Sequence, residues 1–258
     1  MEMTEQIVKS IMDAELILVG IGEELDSLKK IKASSSYEEI SKKIQEKWIL
    51  PFVRKAMLNK TEKETQIYGP LSQVLENKNY FIISTCQDGG LGKASFLEER
   101  IVEPCGGYKK LQCSDACSNS LYEIPDDIMC QIERYLRGEC KESELKEPLC
   151  PVCGKPLVFN NVEADNYVEE GYIGKWNIYK KWLQGTVNKK VCILEVGVGM
   201  KYPSVIRWPF EKIAYFNQKS DFFRVHSILY QIPHELGERG KGICANPEKF
   251  LKELSNGF

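Results

Sequence analysis

Short, unbroken apolar runs alternate along this chain with stretches of helical periodicity. Glu5 to Asp13 repeats its apolar positions at helical spacing. Leu16-Ile17-Leu18-Val19 follows without a polar residue and stops at Gly20, the pattern of a strand buried on both faces. Tyr80 to Ser84 repeats that pattern after a helix-like segment, Leu71 to Leu75, and Val191 to Val196 repeats it again before Gly197-Val198-Gly199. Weaker strands are expected at Phe222 to Val225 and Gly242 to Cys244, each followed by a helical stretch. Strands that alternate with helices predict an α/β fold, a Rossmann-like parallel sheet.

Two stretches depart from this rhythm. Residues 30–67, rich in Lys, Glu and Ile, read as a helical module leaving the sheet, and residues 101–165 read as an inserted unit. The expected organisation is a Rossmann-like domain from residues 1–29, 68–100 and 186–258, with 166–185 as a connecting helix.

The insert carries the most specific signal. Cys113 and Cys117 form a C-x3-C pair, and after 32 intervening residues Cys150-Pro151-Val152-Cys153-Gly154 supplies a second. Zinc takes four thiolates in a tetrahedron, and two short Cys turns each present two of them. Two disulfides or ordinary buried thiols would fit the same spacing. No secretory leader is read from residues 1–15, which are polar and charged, and a reducing compartment favours metal over disulfides. Zinc on Cys113, Cys117, Cys150 and Cys153, in a small zinc-ribbon insert of a cytoplasmic protein, is the expectation. Four protein ligands close the shell, so the metal is structural.

Composition narrows the class without naming a function. With 258 residues, 43 % of them hydrophobic, the chain can bury a sizeable core. The balance of 35 basic and 37 acidic residues leaves no electrostatic footprint for nucleic acid, so neither nucleic acid nor membrane is expected as a partner.

Chemistry in a parallel sheet is concentrated beyond the carboxyl ends of its strands. The first exit, Gly20-Ile21-Gly22, leads into Glu23, which is expected to open a helix. Glycines there permit close approach of a phosphate, and Glu23 and Glu24 oppose it by charge. The second exit, Ser84-Thr85-Cys86-Gln87-Asp88-Gly89, sets a carboxylate and small polar groups where a ribose would be gripped, or forms a plain Asp-Gly turn. The third, Gly197-Val198-Gly199, repeats the glycine-rich pattern.

Together these residues resemble the sirtuins, NAD-dependent protein deacylases and ADP-ribosyltransferases, and within them the microbial macrodomain-linked branch. Gly20-Ile21-Gly22-Glu23-Glu24 loosely matches the family's G-A-G-x-S. Ser84-Thr85-Cys86-Gln87-Asp88-Gly89 matches T-x-N-x-D-G with Cys in place of Asn. Cys105-Gly106 stands where the family has its catalytic His-Gly, and the four cysteines fall where its zinc ligands lie. Glu195 to Gly199 followed by Pro203 is similar to the late nucleotide-binding strand, and Arg207-Trp208-Pro209-Phe210 is similar to that microbial branch. Residues 30–67 match least, and no counterpart of the cofactor-loop arginine is found there.

The resemblance implies NAD and zinc as cofactors and NAD, ADP-ribose or a protein as partner. The nucleotide would lie along Gly20, Ile21, Gly22, Glu23, Thr85, Asp88, Gly197, Val198, Gly199 and His226, with Cys105, Asp88 and Cys86 at the catalytic positions. Cysteine is a poorer base than histidine at neutral pH, and acts as a nucleophile only if its pKa is lowered. Loss of the histidine weakens a deacylase more than a transferase. Two functions follow: cleavage of the nicotinamide–ribose bond with ADP-ribose transfer to protein or water (or deacylation), or an inactive module that binds NAD, ADP-ribose or a partner protein. His226 and His234 are read as structural, Cys130 and Cys140 as bystanders, Trp176, Tyr179 and Trp182 as core, and Glu195 as an expensive buried carboxylate in need of a partner.

Overall fold

The computed structural model describes residues 2–61 and 66–254. Met1 and residues 62–65 and 255–258 of the expected domain spans lie outside the described residues. Six parallel strands form the main sheet in the order β3-β2-β1-β6-β7-β8. They are β1 (Leu16–Ile21), β2 (Tyr80–Ser84), β3 (Ile101–Val102), β6 (Val191–Val196), β7 (Ser220–His226) and β8 (Gly240–Cys244). The intervening β4 (Gly106–Cys113) and β5 (Leu157–Asn161) form a separate antiparallel pair. The expected strands are all present. The short β3, whose Ile101 lies opposite Ile82 of β2, places the first two residues of the stretch read as an insert in the main sheet.

Unbroken apolar runs form strands here because both faces of the sheet are covered. Ile17, Val19 and Ile21 of β1 pack on one side with Ile7 and Ile11 of α1 (Glu2–Asp13). Leu71 and Val74 of α5 (Gly69–Val74) and Phe250 and Leu251 of α9 (Pro247–Glu253) complete that layer. Leu16 and Leu18 pack on the other side with Tyr179 of α7 (Ile173–Gln184) and Phe210 of α8 (Arg207–Phe216). Tyr179 is buried and Trp176 and Trp182 lean on the same cluster, so this aromatic row is core.

The helical excursion and the cysteine-bearing segment share a second core. It contains Leu28 and Ile31 of α2 (Ser27–Lys32), Tyr37 of α3 (Ser35–Lys43) and Phe52 and Val53 of α4 (Ile49–Thr61). These meet Tyr108 and Leu111 of β4, Ile128 and Ile132 of α6 (Asp126–Leu136) and Phe159 of β5. Two segments separated in sequence therefore build one small lobe, held over the carboxyl edge of the sheet.

Glu195 has its partner. In β6 it is fully buried beside Arg224 of β7, whose Nε donates to its Oε2 at 2.6 Å and whose Nη2 donates to its Oε1 at 3.3 Å. Burial raises the Glu195 carboxyl to about 6, and the guanidinium opposes that shift. Arg224 also donates to Glu211 at 2.7 Å and to the Gln231 carbonyl at 2.6 Å, so its charge is fully matched. No described helix is long and apolar enough to cross a membrane.

Candidate functional site

The loops that leave β1, β2, β6 and β7 converge at the carboxyl edge of the sheet. The first does not open a helix at Glu23. The chain turns through Glu23 and Glu24, and α2 starts at Ser27 with Asp26 as its N-cap, accepting the Leu28 N–H at 3.0 Å. Asp26 suits this place because a short carboxylate satisfies a free helix N–H, and the glutamates before it are drawn elsewhere.

Those glutamates reach across to the other strand exits. Glu23 Oε1 accepts the Lys201 N–H at 3.1 Å, and its Oε2 takes a long contact of 3.4 Å from the Thr85 hydroxyl. Glu24 Oε2 accepts the Ser227 N–H at 3.1 Å. It also lies 3.2 Å from Nδ1 of His226, but that nitrogen accepts the N–H groups of Ile228 and Leu229 at 3.0 and 2.9 Å. A ring nitrogen that accepts hydrogen bonds from two N–H groups carries no proton of its own to donate, so Nδ1 is not a donor to Glu24. Burial of His226 lowers its pKa.

The glycines of the exits let these loops touch. A Cβ on Gly22 would lie 2.2 Å from the Val198 Cα and 2.3 Å from the Gly197 carbonyl oxygen, so the missing side chain makes room for the β6 loop. A Cβ on Gly199 would lie 2.4 Å from Glu23 Oε1. A Cβ on Gly20 would lie 2.5 Å from the Ile206 side chain, Gly197 holds a left-handed φ of 68°, and Ile21 and Val198 are buried. The close approach that suggested a phosphate path is used here between loops of the protein.

Asp26 and Asp88 tie the first exit to the second. Asp26 Oδ2 accepts the Gln87 N–H at 3.0 Å. Asp88 accepts Ser27 N–H at 2.8 Å through Oδ2 and Gly90 N–H at 2.9 Å through Oδ1. Burial first, and then the Asp88 charge, raises the Asp26 carboxyl to about 6.

The two cysteines at the expected catalytic positions are buried thiols. Cys86 hydrogen-bonds to the Gly22 carbonyl, with Sγ 3.2 Å from it, and burial raises its pKa well above the usual range. Burial pushes Cys105 up to about 12; Lys201 opposes this, and Glu23 and Asp26 add to it. That is the opposite of the direction a nucleophilic thiol requires. The Cys105 carbonyl accepts Nε2 of Gln87 at 3.2 Å, which holds it against the second exit.

Two cavities flank this junction, and Gln87 lines both. One, of about 470 Å³, is bordered by Glu23, Asp26, Lys29, Lys32 and Lys201. The other, of about 280 Å³, lies between the sheet and the small lobe, with Glu103, Gly106, Lys109 and Asn160 on its walls. Sequence reasoning did not single out Asp26, Gln87, Lys29, Lys32 or Lys201. Asp26-Ser27 before an apolar periodic stretch is a capping signal that points to the first of them.

Cys113, Cys117, Cys150 and Cys153 bring their sulfurs within 4.8 Å of one another. Cys113 and Cys153 are 3.4 Å apart at Sγ, and Cys117 and Cys150 are 3.6 Å apart. Sulfurs on a tetrahedral zinc at about 2.3 Å lie about 3.8 Å apart, so the cluster fits that ion. All four are free thiols, not disulfides, and Gly154 takes a φ of 72° just beyond the second pair. A zinc held here closes the small lobe and supplies no open coordination position.

Comparison with known proteins agrees with this architecture. No family model matches the sequence. A protein ADP-ribosyltransferase of Staphylococcus aureus is 27 % identical over 176 residues, covering 67 % of this chain and 55 % of that protein. A probable bifunctional ADP-ribose hydrolase/ADP-ribosyltransferase of Fusarium oxysporum is 27 % identical over 159 residues, covering 58 % of this chain and 26 % of that protein. The match therefore spans about half the length of the first relative and a quarter of the second. Among solved structures, Sir2 bound to an acetylated peptide superposes with a TM-score of 0.59 at 13 % identity, covering 98 % of this chain and 97 % of the other. A Sir2 homologue complexed with NAD gives 0.56 at 11 % identity, with 98 % and 92 % covered. The chain has the sirtuin fold over nearly its whole length.

Proposed function

We propose that this chain is an NAD-dependent transferase that cleaves the nicotinamide–ribose bond and passes ADP-ribose to a protein group or to water. The observation that carries this reading is the convergence of four strand exits and the Cys105 segment on one cleft of a sirtuin fold. The names of the two ADP-ribosyltransferase relatives support it.

NAD supplies the ADP-ribosyl group and nicotinamide as the leaving group. Glu23 and Asp26 border the larger cavity and favour positive charge developing at a ribosyl carbon within it. Gln87 stands between the two cavities, so an acceptor entering beside the small lobe would meet the reacting carbon there. Asp88, engaged by two backbone N–H groups, positions the loops without itself acting on substrate. Cys86 and Cys105 fill positions where the family has Asn and His. A buried thiol held near 12 is no base at neutral pH, which disfavours deacylation and leaves glycosidic cleavage as the better fit.

The same thiols favour a second reading, a nucleotide-binding module without turnover. A titration of the full chain with NAD, recording heat and free nicotinamide together, separates the two. Heat with nicotinamide release supports the transferase, heat alone supports the binding module, and neither overturns both.

A further inference from the structure

Parallel sheets hold phosphates on the backbone N–H groups at their strand exits. In this chain six of the backbone donors around those exits are taken by carboxylates. Glu23 holds the N–H of Lys201 and Glu24 that of Ser227. Asp26 holds those of Leu28 and Gln87, and Asp88 those of Ser27 and Gly90. Four carboxylates thus occupy six backbone donors around one cleft. An incoming phosphate would have to displace a carboxylate that is already well bonded, and would be repelled by the others.

The same cleft offers cations of another kind. Lys29, Lys32 and Lys201 all border the cavity of about 470 Å³. Lys29 and Lys32 lie three residues apart on α2, so they share a helix face, and Lys201 comes from the loop after β6. Among the described residues, Lys29 and Lys201 have no carboxylate in an ion pair. Lys201 instead lies over the Tyr202 ring, with its Nζ 4.9 Å from the centroid. Lys32 bridges to Glu163, which also takes Arg54 of α4 at 3.1 Å, so this carboxylate is shared between two cations.

We propose that the ammonium groups of Lys29, Lys32 and Lys201 hold the diphosphate of an ADP-ribosyl ligand, replacing the backbone N–H groups that Glu23, Glu24, Asp26 and Asp88 occupy. The identity of the ligand rests on the proposed function; the preference of the cleft for a diphosphate does not. Binding through side-chain ammoniums is a charge interaction at a partly exposed site, so it weakens steeply with salt.

The test is a calorimetric titration of the full chain with ADP-ribose, adenosine and inorganic pyrophosphate at low and high salt. The wild type is compared with a Lys29→Ala/Lys201→Ala double variant, which leaves the Lys32–Glu163 bridge intact, and with Lys29→Arg/Lys201→Arg. The expected result is a loss of at least about ten-fold in ADP-ribose affinity for the alanine variant, with a flattened salt dependence, unchanged adenosine affinity and unchanged melting temperature. The arginine variant should retain affinity. Unchanged ADP-ribose affinity in the alanine variant overturns the assignment. If the wild type binds pyrophosphate through these lysines but no ADP-ribose, the lysine site stands and the proposed function falls. If it binds neither pyrophosphate nor ADP-ribose, the lysine site itself is overturned.

Discussion

The Asp26 carboxylate accepts the backbone N–H of Gln87 at 3.0 Å, across 61 positions of sequence, and so fixes the β2 exit against the β1 exit. Its other oxygen caps α2. Asp26→Ala removes both acceptors, leaving the buried Gln87 N–H without a partner at a cost of about 1–3 kcal/mol, plus about 1 kcal/mol for the lost cap. Urea denaturation should show the combined loss as a lower midpoint.

The same residue sets a pH dependence. Its pKa is raised on folding, from the ordinary carboxylate value of about 4 to about 6. A raised value means that the folded state binds the proton more tightly. The stability from this group is therefore complete below about pH 4 and is lost as pH rises through about 6. Asp26→Asn, which keeps an acceptor but does not titrate, should show a flatter stability profile across that window. An equally steep profile in the variant would assign the titration to another group.

Glu195 and Arg224 are a buried pair, and removing either partner alone leaves the other's charge without its match. Glu195→Ala leaves a guanidinium at 1 % exposure with one of its two carboxylates gone, and a loss of about 3–5 kcal/mol is expected. Thermal melting of the variant checks this directly.

Gly22 offers a contrast with the expectation drawn from its motif. A Cβ there meets the backbone of Gly197 and Val198, so Gly22→Ala should lower stability by about 1–3 kcal/mol, in addition to any effect on ligand binding. A variant with wild-type stability would show that the loops can separate at no cost.

Cysteine reactivity reads out the site as well. With its thiol near 12 and 1 % of its surface exposed, Cys105 should react with iodoacetamide at neutral pH at least about a hundred-fold more slowly than exposed Cys130 and Cys244. Peptide mapping after brief alkylation gives the comparison. Removing metal with a chelator should expose Cys113 and Cys150, which are otherwise buried, and loosen the lobe whose core they share.

The strands were legible because burial on both faces leaves no polar residue within the run, as at Leu16 to Val19. The cysteine cluster was legible because each half of it is local. What could not be read was the pairing of distant parts. Nothing in the sequence near Leu28 or Phe52 announces that they pack with Tyr108 and Phe159. The start of α2 was misplaced because Glu23 is an ordinary residue for a first helical turn, and only the fold shows its carboxylate drawn to Lys201, 178 positions away. The glycine exits read as phosphate seats from their spacing alone, and only the fold shows that a Cβ on Gly22 or Gly199 would meet Val198, Gly197 or Glu23.

The central claim is that this cleft breaks the nicotinamide–ribose bond. The most direct test supplies NAD labelled in its adenosine half to the purified full chain. It follows free nicotinamide alongside the label, both in solution as ADP-ribose and attached to protein. Nicotinamide release above an enzyme-free control, matched mole for mole by free or protein-bound ADP-ribose, is the predicted result. NAD bound with its label intact and no nicotinamide released would contradict it and leave a binding module.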